Sequence, residues 1–338
     1  MGIKNLLKFL NNFPDLIEEK NINEYSGKKI AIDISILLYQ VVISVRNSGA
    51  DLTNKQGKIT SHVLGLFNKT IKLLLKGIVP VYVFDGKPPD IKRKVLDLRK
   101  NIRKKAEEKM AVAESKEEKI KYFKRSVIIS KEQLEDCRLL LDCMGVPYIN
   151  APQEADSQCA WLAKNGLVDA VLTEDMDILT FGSPYIIRNL TSFKKKPIEI
   201  SLSKIKNKFG WSQDDFINFC VLLGCDYAEH ITDSTYLEIF EIFNQNKDIE
   251  LCLKKLGKNY SLKEAVEYFK DPHINNSIDS IDLMKPDLCK LNNLLVNDFG
   301  LIKFKIQNKM NHLILAYSKI KCLDMKSKFV IENNELVV

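Results

Sequence analysis

Five short apolar runs separated by segments of helical period constrain this chain more than any other feature. They are Lys29 to Asp33, Val79 to Asp85, Val146 to Ile149, Ala170 to Leu172 and Tyr185 to Ile187. Each has the length and composition of a buried parallel strand. Between them, residues 60–76 place apolar side chains at 63, 64, 66, 67, 71, 74 and 75, and residues 131–144 repeat that spacing. Such alternation predicts an α/β fold with a mostly parallel central sheet flanked by helices. With 338 residues, 45% of them apolar, the chain can bury a full core.

The first two runs end in aspartates, Asp33 and Asp85, and the fourth leads directly into Thr173-Glu174-Asp175-Met176-Asp177. Open α/β sheets bind their ligands at the carboxyl ends of strands. One aspartate at a strand end is more often a helix cap or a turn residue; several together are harder to dismiss. Glu154 and Asp156 of Ala151-Pro152-Gln153-Glu154-Ala155-Asp156 precede an apolar helical run and belong to a helix's first turn, where acids also suit the helix dipole. Asp226 follows a further helical stretch, Asp214 to Leu223.

These seven carboxylates would repel one another if they converged, and would need cations or retained protons to be tolerated. An all-oxygen donor set suits Mg²⁺ or Mn²⁺. Two such ions roughly 4 Å apart serve phosphoester hydrolysis by activating a water and stabilising the leaving oxygen. No serine or cysteine nucleophile with a histidine base stands out, so metal-activated water is the economical chemistry. A phosphatase of the Asp-x-Asp type is disfavoured because Asp33-Ile34-Ser35 lacks the second acid.

Charge points the same way. Residues 90–125 hold fourteen Lys or Arg against seven Asp or Glu, an excess equal to the net +7 of the whole chain. Such a run reads either as a solvated helical hairpin or as a clamp that grips phosphates beside the acids. A pI of about 8.8 adds little alone. The eight cysteines lack CxxC pairs and the four histidines lie far apart, which argues against zinc and for free buried thiols. No long apolar run marks a signal peptide or a membrane span, so an intracellular protein is expected. Leu6 stands where a myristoylation signal wants Ser or Thr.

Six segments in order then carry a resemblance: MGIKNLL at the start, AIDIS around Asp33, VYVFDGKPP around Asp85, APQEAD around Glu154 and Asp156, VLTEDMDILTFGSP around Asp175 and Asp177, and LLGCDY around Asp226. Together they resemble the flap endonuclease family, kin to excision-repair and Holliday-junction nucleases, through nearly all of residues 1–230. The resemblance implies a PIN-like nuclease core in which residues 1–90 and 131–230 build the nuclease, residues 91–130 a basic helical arch, and residues 231–338 a helical DNA-binding part. It implies cleavage of 5′ flaps, with some 5′ exonuclease activity, in DNA replication or repair, and two Mg²⁺ ions for which Mn²⁺ can substitute. A junction resolvase, a 5′ exonuclease and a non-catalytic DNA-structure-binding module are the alternatives.

Residue by residue, the resemblance makes Asp33, Asp85, Glu154, Asp156, Asp175, Asp177 and Asp226 metal ligands, although Asp156 stands where the family more often has glutamate. Lys92 and Arg99 fall where relatives contact the scissile phosphate, and with Asp175 and Asp177 they form the expected catalytic set. Seven residues apart, they share one helix face. Further DNA contacts are expected at Gly2, Tyr39, Arg46, Lys69, Lys72, Arg103, Lys124 and Arg125, with Tyr39 stacking on a base.

Two departures matter. After Asp226 the family has a glycine-rich turn that binds potassium and duplex phosphate, but no glycine lies between Gly224 and Gly257 here. A downstream duplex held more weakly or by other groups, and little specific K⁺ effect, are therefore expected. The C-terminus lacks the relatives' sliding-clamp peptide and reads Lys328-Phe329-Val330-Ile331-Glu332 instead, so clamp binding by that route is not expected. A monomer acting on flapped or branched DNA is the resulting picture, nuclear by analogy or at a cytoplasmic replication site if viral.

Overall fold

The computed structural model describes residues 2–46, 51–192 and 195–335, with side chains throughout except those of Arg46 and residues 322–335. The expected contact Arg46 and the segment at 328–332 thus fall outside the described side chains.

In chain order, α1 (Leu6–Leu10) leads to β1 (Ile17–Glu19), β2 (Lys29–Asp33), α2 (Ile34–Arg46), α3 (Ser61–Leu75) and β3 (Val79–Phe84). The charged stretch forms α4 (Arg93–Val112) and α5 (Lys116–Arg125), which pack on each other, and α5 also touches α2. Then come α6 (Lys131–Met144), β4 (Tyr148–Asn150), α7 (Ala155–Lys164), β5 (Ala170–Leu172), α8 (Asp177–Thr180), β6 (Tyr185–Arg188) and β7 (Ile198–Ser201). The remaining elements are helices, among them α9 (Leu202–Phe209), α10 (Gln213–Leu223), α11 (Tyr236–Asn246), α12 (Ile249–Lys255), α13 (Lys263–Lys270), α14 (Leu288–Asn292) and α15 (Lys303–Glu335), with residues 271–287 irregular.

Among the described residues the sheet has seven strands in the order β1-β7-β6-β5-β2-β3-β4. From β6 to β4 all pairs are parallel, while β7 runs antiparallel to both β6 and β1. The five runs read from sequence are strands, with the third shifted to Tyr148–Asn150 because Gly145 ends α6 in the left-handed region at φ 69°. Two further strands carry no such signal. The first, Ile-Glu-Glu, is too short and polar to announce itself, and the second, Ile-Glu-Ile-Ser, is of mixed polarity unlike the buried runs. Connections from β2 proceed to β3 and β4 on one side and, after α7, to β5 and β6 on the other. Asp33 therefore stands at the point where strand order reverses, the usual ligand crevice of such sheets.

Alternation along the strands builds two cores. Ala31, Val81 and Val83 join one with α1, α7 and α9 to α13; Ile30, Ile32, Tyr82 and Phe84 join the other with α2, α3, α6, α14 and α15. The chain beyond residue 231 thus packs on both faces. On the first face Phe9 of α1 lies 5.5 Å from Phe209 and 5.0 Å from Phe219 between ring centroids. Phe9 is fully buried, and its replacement by Ala would cost about 3–5 kcal/mol. This anchor, with the bond from Lys4 N–H to the Gly224 carbonyl at 2.8 Å, fixes the first residues beside the segment that carries Asp226.

Helix limits follow local chemistry. Ser130 and Gln133 form a reciprocal capping box at the start of α6. Glu154 occupies the cap position of α7 without capping it; the Ala155 N–H donates instead to Asp85 Oδ1 at 2.9 Å. The seven cysteines with described side chains are free, and all but Cys289 are buried. No helix among the described residues is long and apolar enough to cross a membrane.

Candidate metal centre and its cationic cover

Each acid reaches the crevice by a different local device. Asp33 ends β2, and its Oδ1 accepts hydrogen bonds from Ser35 N at 2.7 Å and Ile36 N at 3.4 Å, capping α2. Asp85 follows β3; besides holding the first turn of α7, it accepts the Ser35 hydroxyl at 2.7 Å. The turn at Gly86 is packed so tightly on the backbone of Ala151 and Pro152 that a side chain there would collide with both carbonyls. Gly86 N–H donates to Gln153 O at 2.6 Å, locking the Asp85 turn to the Glu154 segment. Asp175 is set by its own N–H donating to Thr173 Oγ1 at 2.9 Å, while its Oδ1 accepts from Met176 N at 3.0 Å. Asp177 opens α8.

The electrostatics are those of crowded acids. Burial, then the charges of Asp85 and Asp156, push the Asp33 carboxyl well up. Burial and Asp175 do the same to Asp156 and Asp177. Burial also raises Asp175, with Asp226 adding to it. Asp156 Oδ1 and Asp177 Oδ1 are fully covered and have no hydrogen-bond partner. A buried carboxylate oxygen without a donor costs several kcal/mol, on the order of the penalty for an unpaired buried charge, so these two atoms call for a proton or a cation.

Lys92 and Arg99 lie over the other acids. Lys92 closes a short 3-10 turn just before α4, is buried, and its Nζ bonds Glu154 Oε1 and stands 3.8 Å from Asp226 Oδ2. Burial alone would lower its ammonium, but Glu154, Asp156 and Asp226 outweigh this and hold it above the ordinary lysine value. Arg99, two turns along α4, bonds the same Asp226 oxygen. On its other oxygen Glu154 accepts two phenols, Tyr227 and, at 3.1 Å, Tyr268. Burial, then Glu154, raises both phenols, so they remain donors.

Gly2 borders Asp175 and Asp177. It has φ +82°, and any Cβ built on it would overlap Oδ1 of both. The remaining expected contacts are spread over the helices: Tyr39 is half-buried on α2, Lys69 and Lys72 half-buried on α3, and Arg103 half-buried one turn beyond Arg99. Lys124 is half-buried and Arg125 exposed at the end of α5. Burial, then Lys72, lowers the Lys69 ammonium, a penalty that an arriving phosphate would relieve. Sequence reasoning missed three side chains that hold the acids. Tyr227 has no marked role inside LLGCDY, Ser35 draws notice only for not being an acid, and Tyr268 carries no local signal.

Among the described residues no three His, Cys, Asp or Glu groups stand in a ready-made ion site. Lys92 and Arg99 neutralise two of the acids, Glu154 and Asp226. The donor set nonetheless fits a hard divalent ion: every group is a carboxylate, and two of their oxygens are orphaned.

A parallel sheet with acids at its switch point, roofed by a basic helical hairpin, is the architecture of a PIN-like nuclease of the XPG type. The XPG N-terminal domain matches residues 1–106 and the XPG I-region residues 145–226. Flap endonuclease 1 of Nematostella vectensis is 41% identical over 323 residues, covering 91% of this chain and 83% of the relative. The structure of flap endonuclease-1 from Methanococcus jannaschii superposes with a TM-score of 0.71 at 33% identity, covering 90% of this chain and 96% of the other. The fold is also that of the Holliday junction-resolving enzyme GEN1 in complex with product DNA and Mg²⁺, with TM-score 0.64, 18% identity, and 96% and 80% coverage. The chain belongs to the flap endonuclease family.

Proposed function

We propose that this chain hydrolyses DNA phosphodiesters at the base of 5′ flaps, using two divalent ions, Mg²⁺ in the cell and Mn²⁺ as a substitute. Asp33, Asp85, Glu154, Asp156, Asp175, Asp177 and Asp226 are the groups that would hold them. When bound, the ions supply charge compensation for the phosphate and acidity for the attacking water. The observation that carries the reading is the pair of orphaned buried oxygens on Asp156 and Asp177, beside Glu154 and Asp226, with which Lys92 and Arg99 pair.

The remaining work falls to the chain itself. Lys92 and Arg99 are paired with Glu154 and Asp226. A phosphate entering the crevice competes for both cations, and neutralised acids release them to it. Exchange of one anionic partner for another keeps the buried charges compensated throughout, so the cations bind and orient the strand at little net desolvation cost. Lys92 is buried and held by carboxylates, so it enters this exchange as an ammonium and acts by charge and hydrogen bonding.

Incubating the protein with labelled flap, nicked, blunt and four-way DNAs, with Mg²⁺ or chelator, and mapping the products tests this reading. Cleavage near the flap base in Mg²⁺ alone is expected. Preferential cutting of the four-way junction would make it a resolvase, end-directed trimming alone an exonuclease, and binding without cleavage a DNA-structure-binding module.

A further inference from the structure

Glu154 is held by a residue far along the chain from its own segment. Its Oε1 meets Lys92, and its Oε2 receives hydroxyls from Tyr227 and from Tyr268, the latter 114 residues away on α13. We propose that Tyr268 is a positioning residue for Glu154: its hydroxyl fixes the direction in which that carboxylate meets a divalent ion. The inference rests on the preceding reading in one respect, that Glu154 is an ion ligand.

The geometry around the ring leaves the hydroxyl little freedom. Ala265 and Phe269 bury one face of α13 in the core, and Phe269 lies 4.7 Å from Phe181. Tyr268 itself stands 4.7 Å from Tyr227 and meets Phe181 edge-on at 5.9 Å. Rigid neighbours on two sides aim the phenol, and Glu154 is the partner it meets. For packing alone a phenylalanine would serve, since a hydroxyl adds a polar atom that must be satisfied.

Glu154 needs such a hold. It sits at the cap position of α7 but makes no cap bond there, so its own helix does not orient it. Lys92 is the partner that a phosphate would draw away, after which the two phenols are what keeps the carboxylate from turning aside. A cleft of about 290 Å³ lined by Pro89, Ile91, Gln153, Tyr268, Asp271 and His273 opens beside the ring. Groups that hydrogen-bond a ligating carboxylate govern ion affinity through orientation.

The test uses the full chain with Tyr268→Phe, Glu154→Gln and the double variant. Four quantities are read: Mn²⁺ affinity from the resonance of free Mn²⁺, flap-DNA binding in chelator, the Mg²⁺ concentration for half-maximal single-turnover cleavage, and the melting temperature. Tyr268→Phe should weaken Mn²⁺ binding about 10-fold, raise the Mg²⁺ requirement in step, and leave binding in chelator and the melting temperature unchanged. In the Glu154→Gln background it should cost nothing further. Unchanged Mn²⁺ affinity, an equal further loss in that background, or outright unfolding of Tyr268→Phe would overturn the proposal, because the role claimed belongs to the hydroxyl acting through Glu154. If Glu154→Gln alone binds Mn²⁺ like the parent, it is the ligand reading of Glu154 that fails.

Discussion

Gly2 and Asp175 approach so closely that a single methyl group on the glycine would occupy the space of the carboxylate's Oδ1. The glycine also holds φ at +82°, which costs an L side chain roughly 1–3 kcal/mol. Gly2→Ala is therefore expected to displace Asp175 and Asp177 while leaving the fold intact. A shift of about 1 Å in reacting groups slows chemistry roughly 100-fold. Single-turnover cleavage and flap binding in chelator measure the two effects separately, and cleavage at the parent rate would show that the approach is incidental.

Asp226 carries both Arg99 and, more distantly, Lys92. Asp226→Asn removes one charge from the proposed ion site and frees a guanidinium. Loss of several kcal/mol of transition-state stabilisation, roughly 1,000-fold in rate, is expected. Binding of flap DNA in chelator should be equal or tighter, since one repelling charge is gone. Gel-shift titration beside rapid-quench cleavage decides it, and the same holds for Asp175→Asn without the gain in binding.

Lys124 and Arg125 close α5, where the basic residues complement the helix C-terminus as well as any strand beneath the hairpin. If both touch the flap, neutralising them lowers the slope of log affinity against log salt by about 0.7 for each phosphate no longer neutralised. Cleavage at saturating protein should stay as it was. An unaltered salt slope for Lys124→Ala/Arg125→Ala would leave these cations to the dipole alone.

His62 is 1% exposed, with Nε2 3.0 Å from Asp136 Oδ2, its other nitrogen unpartnered, and the Phe299 ring edge-on at 6.0 Å. Burial lowers its pKa against the raising pull of Asp136, and Lys58 reinforces the lowering. The unfolded chain therefore binds the proton more tightly, so this histidine's contribution is present above the unfolded value of about 6.5 and is lost as pH falls through the folded one. Urea unfolding at pH 7.5, 6 and 5 should show declining stability, and a shallower decline in His62→Gln. Identical pH profiles would remove the assignment.

Much of this was legible in the residues because the decisive signals are local. Val79–Phe84 is apolar on both faces and announces a central strand, and the acids that follow β2, β3 and β5 sit where such strands deliver ligands. Lys92 and Arg99 are expected to share one helix face; Arg99 lies on α4, Lys92 closes the 3-10 turn leading into it, and both still meet Glu154 and Asp226. What escaped was of two kinds. Strands β1 and β7 owe their existence to each other and to β6, since three or four residues of mixed polarity acquire extended structure only from a partner. Tyr268 touches Glu154 through tertiary packing of α13, and nothing in Lys263–Lys270 distinguishes its hydroxyl from that of any surface tyrosine.

The distribution of the last hundred or so residues over both sides of the sheet has a practical corollary. Helices α11 to α13 shield one surface and α14 and α15 the other, with Ile281 still in the first core and Leu291 already in the second. The polypeptide thus straps around the sheet, and shortening it from the C-terminus would bare apolar surface on one flank before the acidic crevice lost a single residue. Attempts to pare this nuclease to its acidic core should yield aggregated material, whereas breaks confined to the crossing segment between the two flanks, with both halves supplied, should reassemble.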